Sequence, residues 1–255
     1  MKKFLYDEIA KRWYRGNGNA IYIYSDPHFS DEESYGFRGL LDIPTKEEYF
    51  ASTPNEGVCE PYESVVSNAL RRLDSEQVKG INKVVGKNDT IIFLGDIGNL
   101  DCIKRVRGYK VLIMGNHDKG ATNYKKVVNY IMDNNNGKVE IDCNMYRAEC
   151  NGLFDEVYEG PLMINDRVIL SHEPIPPIPF MYNIHGHVHN KDYKGDDYHL
   201  NACAEAIGYT PINLIKILST GGIKHIHSIH RDTVDEAVKR KKGKPKKHAK
   251  QKHEV

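Results

Sequence analysis

Five short apolar runs constrain this chain more than any other feature of its sequence. Each breaks off at a small or polar residue and is followed by aspartate, asparagine or histidine. The clearest is Val111-Leu112-Ile113-Met114, which stops at Gly115 and then presents Asn116, His117 and Asp118. A continuous apolar run with β-branched residues reads as a strand buried on both faces. The same grammar recurs in Ile21-Tyr22-Ile23-Tyr24 before Ser25-Asp26-Pro27-His28, and in Ile91-Ile92-Phe93-Leu94 before Gly95-Asp96-Ile97-Gly98-Asn99. It recurs again in Val168-Ile169-Leu170 before Ser171-His172, and in Tyr182-Asn183-Ile184-His185 before Gly186-His187-Val188-His189. Open α/β sheets hold their ligands at the carboxyl ends of the strands. Five such ends predict an α/β fold with one shared polar site.

The connecting segments fit that frame. Helical spacing runs through residues 62–85 in Val65, Val66, Ala69, Leu70, Leu73, Val78, Ile81, Val84 and Val85. Shorter helices are expected over residues 2–13, 102–107 and 211–218, the last opening on Pro211 at its first position. A further helix is expected to carry Val127, Val128, Tyr130 and Ile131 on one side, up to Asn134-Asn135-Asn136-Gly137. Residues 138–163 read as short strands, Asn165-Asp166 as a hairpin turn, and residues 198–202 as another strand. Residues 29–60 show no period. Tyr35, Phe37, Arg38, Tyr49 and Phe50 make that stretch an ordered excursion, serving either as a lid or as a decorative insertion.

Composition removes several classes. The 255 residues carry a formal net charge of +1, divided unevenly. Residues 231–255 hold 10 Lys/Arg against 4 Asp/Glu, so an acidic body ends in a basic tail, expected to be disordered. One domain is expected over residues 1–230. The 5 cysteines are scattered and form no C-x-x-C pair, which excludes a zinc ribbon and a disulfide framework and suits a reducing cytoplasm. Charges at Asp7, Glu8, Lys11 and Arg12 interrupt any signal-peptide core, and no apolar stretch is long enough to span a bilayer. The chain reads as soluble and cytoplasmic, with no membrane partner.

The residues at the strand ends carry the chemistry. Imidazole, carboxylate and a neutral amide are ligands of first-row dications. Asp-x-His, Gly-Asp, Gly-Asn-His-Asp, a later His and Gly-His-x-His occur in an order that resembles the calcineurin-like metallophosphoesterase superfamily, over residues 21–210. Residues 154–174 and 200–211 look most like its small bacterial and phage-type branch. The resemblance implies a four-layer α-β-β-α sandwich with two mixed sheets and a two-metal site. One metal would be held by Asp26, His28, Asp96 and His189. The other would take Asp96, Asn116, His172 and His187, with Asp96 bridging. His117 would act on the transition state or the leaving oxygen, and Asp118 would shape the loop. Manganese is the first expectation for both metals, with iron, zinc, nickel and cobalt as alternatives. Two dications and two carboxylates leave a positive site that attracts phosphate and lowers the pKa of a bridging water toward ~7.

Two departures from the protein phosphatase branch matter. Where that branch has an Asp that orients the catalytic His and an Arg that grips phosphate, this chain has Asn99 and Leu100. Asn99 is expected to hydrogen-bond His117 without raising its basicity. Without a bidentate Arg clamp, a dianionic monoester loses its matched partner. The expected activity is therefore hydrolysis of a phosphodiester, a nucleotide or other small ester. The alternatives are a nuclease that holds nucleic acid with the basic tail, a phosphomonoesterase, and a non-catalytic binding scaffold of the same fold.

Overall fold

The computed structural model describes Trp13 and residues 19–52, 60–118, 153–165, 167–179 and 181–220, together with the backbone of four strands between 124 and 148. The chain opens with strand β1 (Ile21–Tyr24), then helices α1 (Glu32–Phe37), α2 (Lys46–Ser52) and α3 (Tyr62–Val84). Strand β2 (Thr90–Phe93), a 3-10 helix (Leu100–Arg105) and β3 (Tyr109–Ile113) follow. Next come β4 (Tyr124–Lys126), β5 (Asn129–Met132), β6 (Lys138–Ile141), β7 (Met145–Ala148), β8 (Glu156–Tyr158) and β9 (Leu162–Met163). The last elements are β10 (Val168–Leu170), β11 (Tyr182–His185), β12 (His199–Asn201), β13 (Ile212–Asn213) and α4 (Leu214–Thr220).

These elements make a mixed α/β fold with two mixed sheets. The larger sheet has seven strands in the order β13-β1-β2-β3-β8-β7-β4, and the smaller has four in the order β12-β11-β10-β9. Strands β1, β2, β3 and β8 are parallel, and so are β10, β11 and β12. The registers put Ile23 beside Ile92 and Ile92 beside Val111, so the parallel strands end nearly level. A separate antiparallel pair joins β5 to β6.

Alternation along β2 shows why its strand is apolar throughout. Ile91 and Phe93 join one core with Val78 and Ile81 of α3, while Ile92 and Leu94 join a second core with Val168, Leu170 and Ile184 of the smaller sheet. A strand between two cores has no face for water. The layers among the described residues are therefore helix α3, large sheet and small sheet. A helical layer on the outer face of the small sheet is not among them.

Several expectations are corrected. Of the helix expected to carry Val127, Val128, Tyr130 and Ile131, the first two residues lie outside the described ones, and Tyr130 and Ile131 lie in strand β5, because Tyr and Ile favour a pleated strand and a short apolar run carries no decisive period. The turn of helix around residues 102–107 is a 3-10 helix that begins at Leu100. Pro211 precedes the edge strand β13, and its helix begins at Leu214. The aperiodic excursion contains two helices, α1 and α2, too short to declare a period. The expected helix over residues 2–13 falls outside the described residues except for Trp13, and the tail from 231 falls outside them altogether.

Helix α3 also carries a polar anchor toward the site. Asp74 is buried on it and accepts from Ser30 N at 2.8 Å, Ser30 Oγ at 2.6 Å and Tyr35 Oη at 2.7 Å. This carboxylate fixes the chain just beyond His28. Asp74→Ala strands three donors, of which Tyr35 Oη is buried and the two of Ser30 partly so, and should destabilise the protein by about 3 kcal/mol in urea unfolding. Asp74→Asn, which keeps one acceptor, should cost less. A loss below about 1 kcal/mol for the alanine variant would show that water replaces the carboxylate.

Candidate metal centre

The five strand ends converge on one site, and the backbone is bent to make them do so. Asp26 (φ 53°), His28 (45°), Asp96 (50°), His187 (67°) and His189 (49°) all adopt the left-handed conformation. Among the described non-glycine residues only Ser30 and Tyr209 share it. Each such residue costs about 1–2 kcal/mol, and strain of this kind gathers at functional sites. Two glycines permit the close approach: a Cβ at Gly115 would collide with Asp96 Oδ1, and one at Gly186 with Ser25 Oγ and Asp26 Oδ2.

The first group is Asp26, His28, Asp96 and His189, whose donor atoms lie within 4.8 Å of one another. Asp26 Oδ2 is occupied, accepting from Ser25 Oγ at 2.5 Å, His187 N at 3.0 Å and Cys203 Sγ at 3.3 Å. Its Oδ1 is buried without a hydrogen-bond partner and lies 3.2 Å from His189 Nε2 and 4.0 Å from His28 Nε2. Carboxylates fix the tautomers: His28 Nδ1 donates to Asp31 at 2.8 Å and His189 Nδ1 to Glu205 at 2.8 Å. Both rings therefore turn Nε2 toward Asp26. His28 Nε2 is itself buried and unpartnered. Ligand atoms about 2.1 Å from one ion sit roughly 3–4 Å apart. The orphaned atoms fit a dication between them.

The second group is Asp96, His172 and His187, with Asn116 beside it. His172 Nδ1 donates to the Leu94 carbonyl at 2.7 Å, so Nε2 faces the site, 2.8 Å from Asn116 Oδ1, 3.2 Å from His187 Nδ1 and 3.3 Å from Asp96 Oδ2. Asp96 Oδ2 is also 3.6 Å from His28 Nε2. One carboxylate oxygen thus belongs to both groups, and the donors fit a second dication on its other side. Its partner oxygen accepts from His117 N at 3.0 Å.

His117 projects from this rim with its side chain 68% exposed and Nε2 4.0 Å from Asp96 Oδ2. Asp118 shapes the loop as expected, accepting from the backbone N–H groups of Asp96, Gly115 and Ile97 at 2.8, 2.8 and 3.1 Å. Asn99 does not orient His117. It caps the 3-10 helix, accepting from Asp101 N at 3.0 Å and donating to Ser30 Oγ at 3.0 Å. Its position just before a helical turn gives an Asn side chain a local use as a cap. His185 and His199 are buried histidines with other partners: His185 bonds the Gly186 carbonyl, and His199 bonds Asp196 and the Ile175 carbonyl.

Sequence reasoning missed Asp31, Arg38, Cys203 and Glu205. Only Asp31 carried a readable signal, as a capping residue three positions before Ser34, whose N–H it accepts at 3.0 Å.

The electrostatics follow from this crowding. Burial works to raise the Asp26 carboxyl, but the His189 ring 3.2 Å from Oδ1, the nearby His172 and the hydrogen bond from Ser25 outweigh it, and the group is held below the usual carboxylate range. Burial works to lower His189, but Asp26 and Glu205 push it up to about 9. In the metal-free site His189 is therefore protonated at neutral pH.

No protein-family model matches the chain, and no curated protein matches it. Among solved structures it is similar to the crystal structure of a protein of unknown function from Aquifex aeolicus. The two are 22% identical, covering 80% of this chain and 100% of the other, with a TM-score of 0.46. Among the described residues, no helix is long and apolar enough to cross a membrane.

A metal entering the first group must displace the His189 proton. Affinity should fall as pH drops below about 9, and calorimetry at roughly pH 7.5 in buffers of different ionisation enthalpy should show about one proton released. For the metal-free fold the sign is opposite: the raised His189 contributes stability that is full below its ordinary pKa of ~6.5 and is lost as pH rises through about 9. Affinity that is flat from pH 7 to 9 would contradict this protonation.

Proposed function

We propose that this chain is a metal-dependent phosphodiesterase of the calcineurin-like type, with a four-layer α-β-β-α architecture and two divalent ions, manganese first among the candidates. The observation that carries the reading is Asp96 Oδ2, shared between two donor groups that otherwise have separate ligands. Asp26, His28, Asp96 and His189 would hold one ion, and Asp96, Asn116, His172 and His187 the other. Two such ions supply Lewis acidity toward a phosphoryl oxygen and lower the pKa of bound water.

The chain's own residues do the rest. The described ligands bring only two carboxylates, so neutral imidazole and amide donors complete the shell without cancelling the positive charge that draws a phosphate. His117, exposed and beside Asp96, is free to meet a substrate oxygen as acid or charge stabiliser. Its backbone N–H on Asp96 Oδ1 keeps the ring on that rim.

A cleft of about 260 Å³ opens beside Asn116 and His172, walled by Ile113, Met114, Pro161 and Ile175, with Glu159 and Glu173 also lining it. Sites for whole drug-sized ligands run to roughly 300–1,000 Å³, so this one suits a single ester substituent. No Lys or Arg among the described residues lines it. Its two carboxylates oppose a polyanion, which supports a small diester over nucleic acid. Arg38 is the basic side chain bonded at the ligands, but it is buried and donates to the Asp26 carbonyl at 2.8 Å. It offers no fork to a dianionic monoester.

Mn²⁺ should stimulate hydrolysis of bis(4-nitrophenyl) phosphate over the matching monoester, and chelation should abolish it. Asp96→Ala and His117→Ala should each lower kcat by about 10²-fold or more. Asn99→Ala should leave the pH–rate profile unchanged, since its side chain serves Asp101 and Ser30. Robust turnover by Asp96→Ala would sink the assignment.

A further inference from the structure

The six-residue helix α1 reaches the first donor group from both of its ends. At the amino end the cap residue Asp31 divides its carboxylate: Oδ1 accepts from Ser34 N at 3.0 Å, and Oδ2 accepts from His28 Nδ1 at 2.8 Å. At the carboxyl end Arg38 turns its guanidinium inward, its side chain 1% exposed. Its Nη2 donates to the Asp26 carbonyl at 2.8 Å, and its Nε stands 3.6 Å from Glu205 Oε2. The other oxygen of Glu205 accepts from His189 Nδ1 at 2.8 Å. Between the two ends, Tyr35 is fully buried, donates to Asp74 at 2.7 Å and accepts from Gln77 Nε2 at 2.9 Å, which pins the helix to α3.

A buried guanidinium is costly to place and is retained where it has a specific partner. Arg38 Nη2 also lies 3.3 Å from His189 Nδ1. That nitrogen already donates its proton to Glu205, so Arg38 makes no hydrogen bond there. What Arg38 provides is a countercharge that keeps Glu205 turned toward His189, and a donor that fixes the Asp26 backbone. The second donor group is supported differently, with His172 Nδ1 on the Leu94 carbonyl of the sheet.

We propose that helix α1 is a positioning brace for the first metal position, with Asp31 setting His28 and Arg38 setting His189 through Glu205. The front of the excursion is then a fixed part of the metal centre and does not open as a lid. This inference rests on the metal-centre reading above. Outer-shell partners of metal-bound histidines are worth about 10–100-fold in affinity when removed.

The test is a Mn²⁺ titration of the full chain, read by the electron paramagnetic resonance of free ion, with thermal unfolding of each metal-free protein alongside. The variants are Arg38→Met, Arg38→Lys, Glu205→Gln and the double variant Arg38→Met with Glu205→Gln. The wild type should show two classes of site. Arg38→Met and Glu205→Gln should each weaken one class by about 10–100-fold and leave the other within about twofold. The double variant should be no weaker than the worse single, because Arg38 acts through Glu205. Arg38→Lys keeps the charge without the planar fork and should recover only part of the loss. If Arg38→Met does not fold, Arg38→Lys and Glu205→Gln carry the same comparison. Wild-type affinity for both classes in these variants overturns the brace, as does a lowered melting temperature with an unchanged ratio of affinities. A wild-type protein that binds no Mn²⁺ overturns the metal-centre reading itself.

Discussion

The Asp96 carboxylate is the point through which the two halves of the site communicate. Its backbone N–H is held by Asp118, its Oδ1 by the N–H of His117, and its Oδ2 faces imidazoles delivered by both sheets. A buried carboxylate of this kind is tolerable only where every lone pair has a use. Two loops that lie 22 residues apart in sequence are tied together by it, since Asp118 accepts from Asp96 N while Asp96 accepts from His117 N. The strand ends of β2 and β3 therefore cannot move independently.

That tie needs level strand ends, and the sheets provide them. Parallel pairing of β1, β2 and β3 puts Asp26, Asp96 and Asn116 at one edge, and parallel pairing of β10 and β11 puts His172 and His187 at another. The shared core of Ile92, Leu94, Val111, Val168, Leu170 and Ile184 holds the two edges against each other. Apolar packing supplies the stability here, and the bent, polar strand ends draw on it.

Legibility in the sequence followed the reach of local signals. The five strand ends could be read because an apolar run ending in a small or polar residue followed by Asp or His is compact, and because five copies are hard to explain separately. Helix α3 could be read because Val66, Leu73, Val78 and Ile81 keep one face buried over its length. Strand β5 around Tyr130 and Ile131 could not, since β-branched and aromatic residues at mixed spacing suit a strand as well as a helix. Arg38 and Glu205 were invisible for another reason. Their meaning lies in each other, across more than a hundred residues, and neither sits in a motif. Asn99 was expected beside His117 only by analogy with a family the sequence resembles, whereas its side chain caps the helical turn that begins at the next residue.

Cys203 gives the centre a chemical character of its own. Its thiol is fully buried, and burial together with the Asp26 charge pushes its ionisation far up. In the metal-free protein it therefore stays an S–H donor to Asp26 Oδ2. A thiolate at that place would add a third negative charge and a soft donor, inviting copper or a tightly locked zinc. Protonated and buried, the sulfur is silent to alkylating and oxidising reagents while the fold is intact. Reaction of this thiol would report the opening of the protein around Asp26 and its neighbouring histidines.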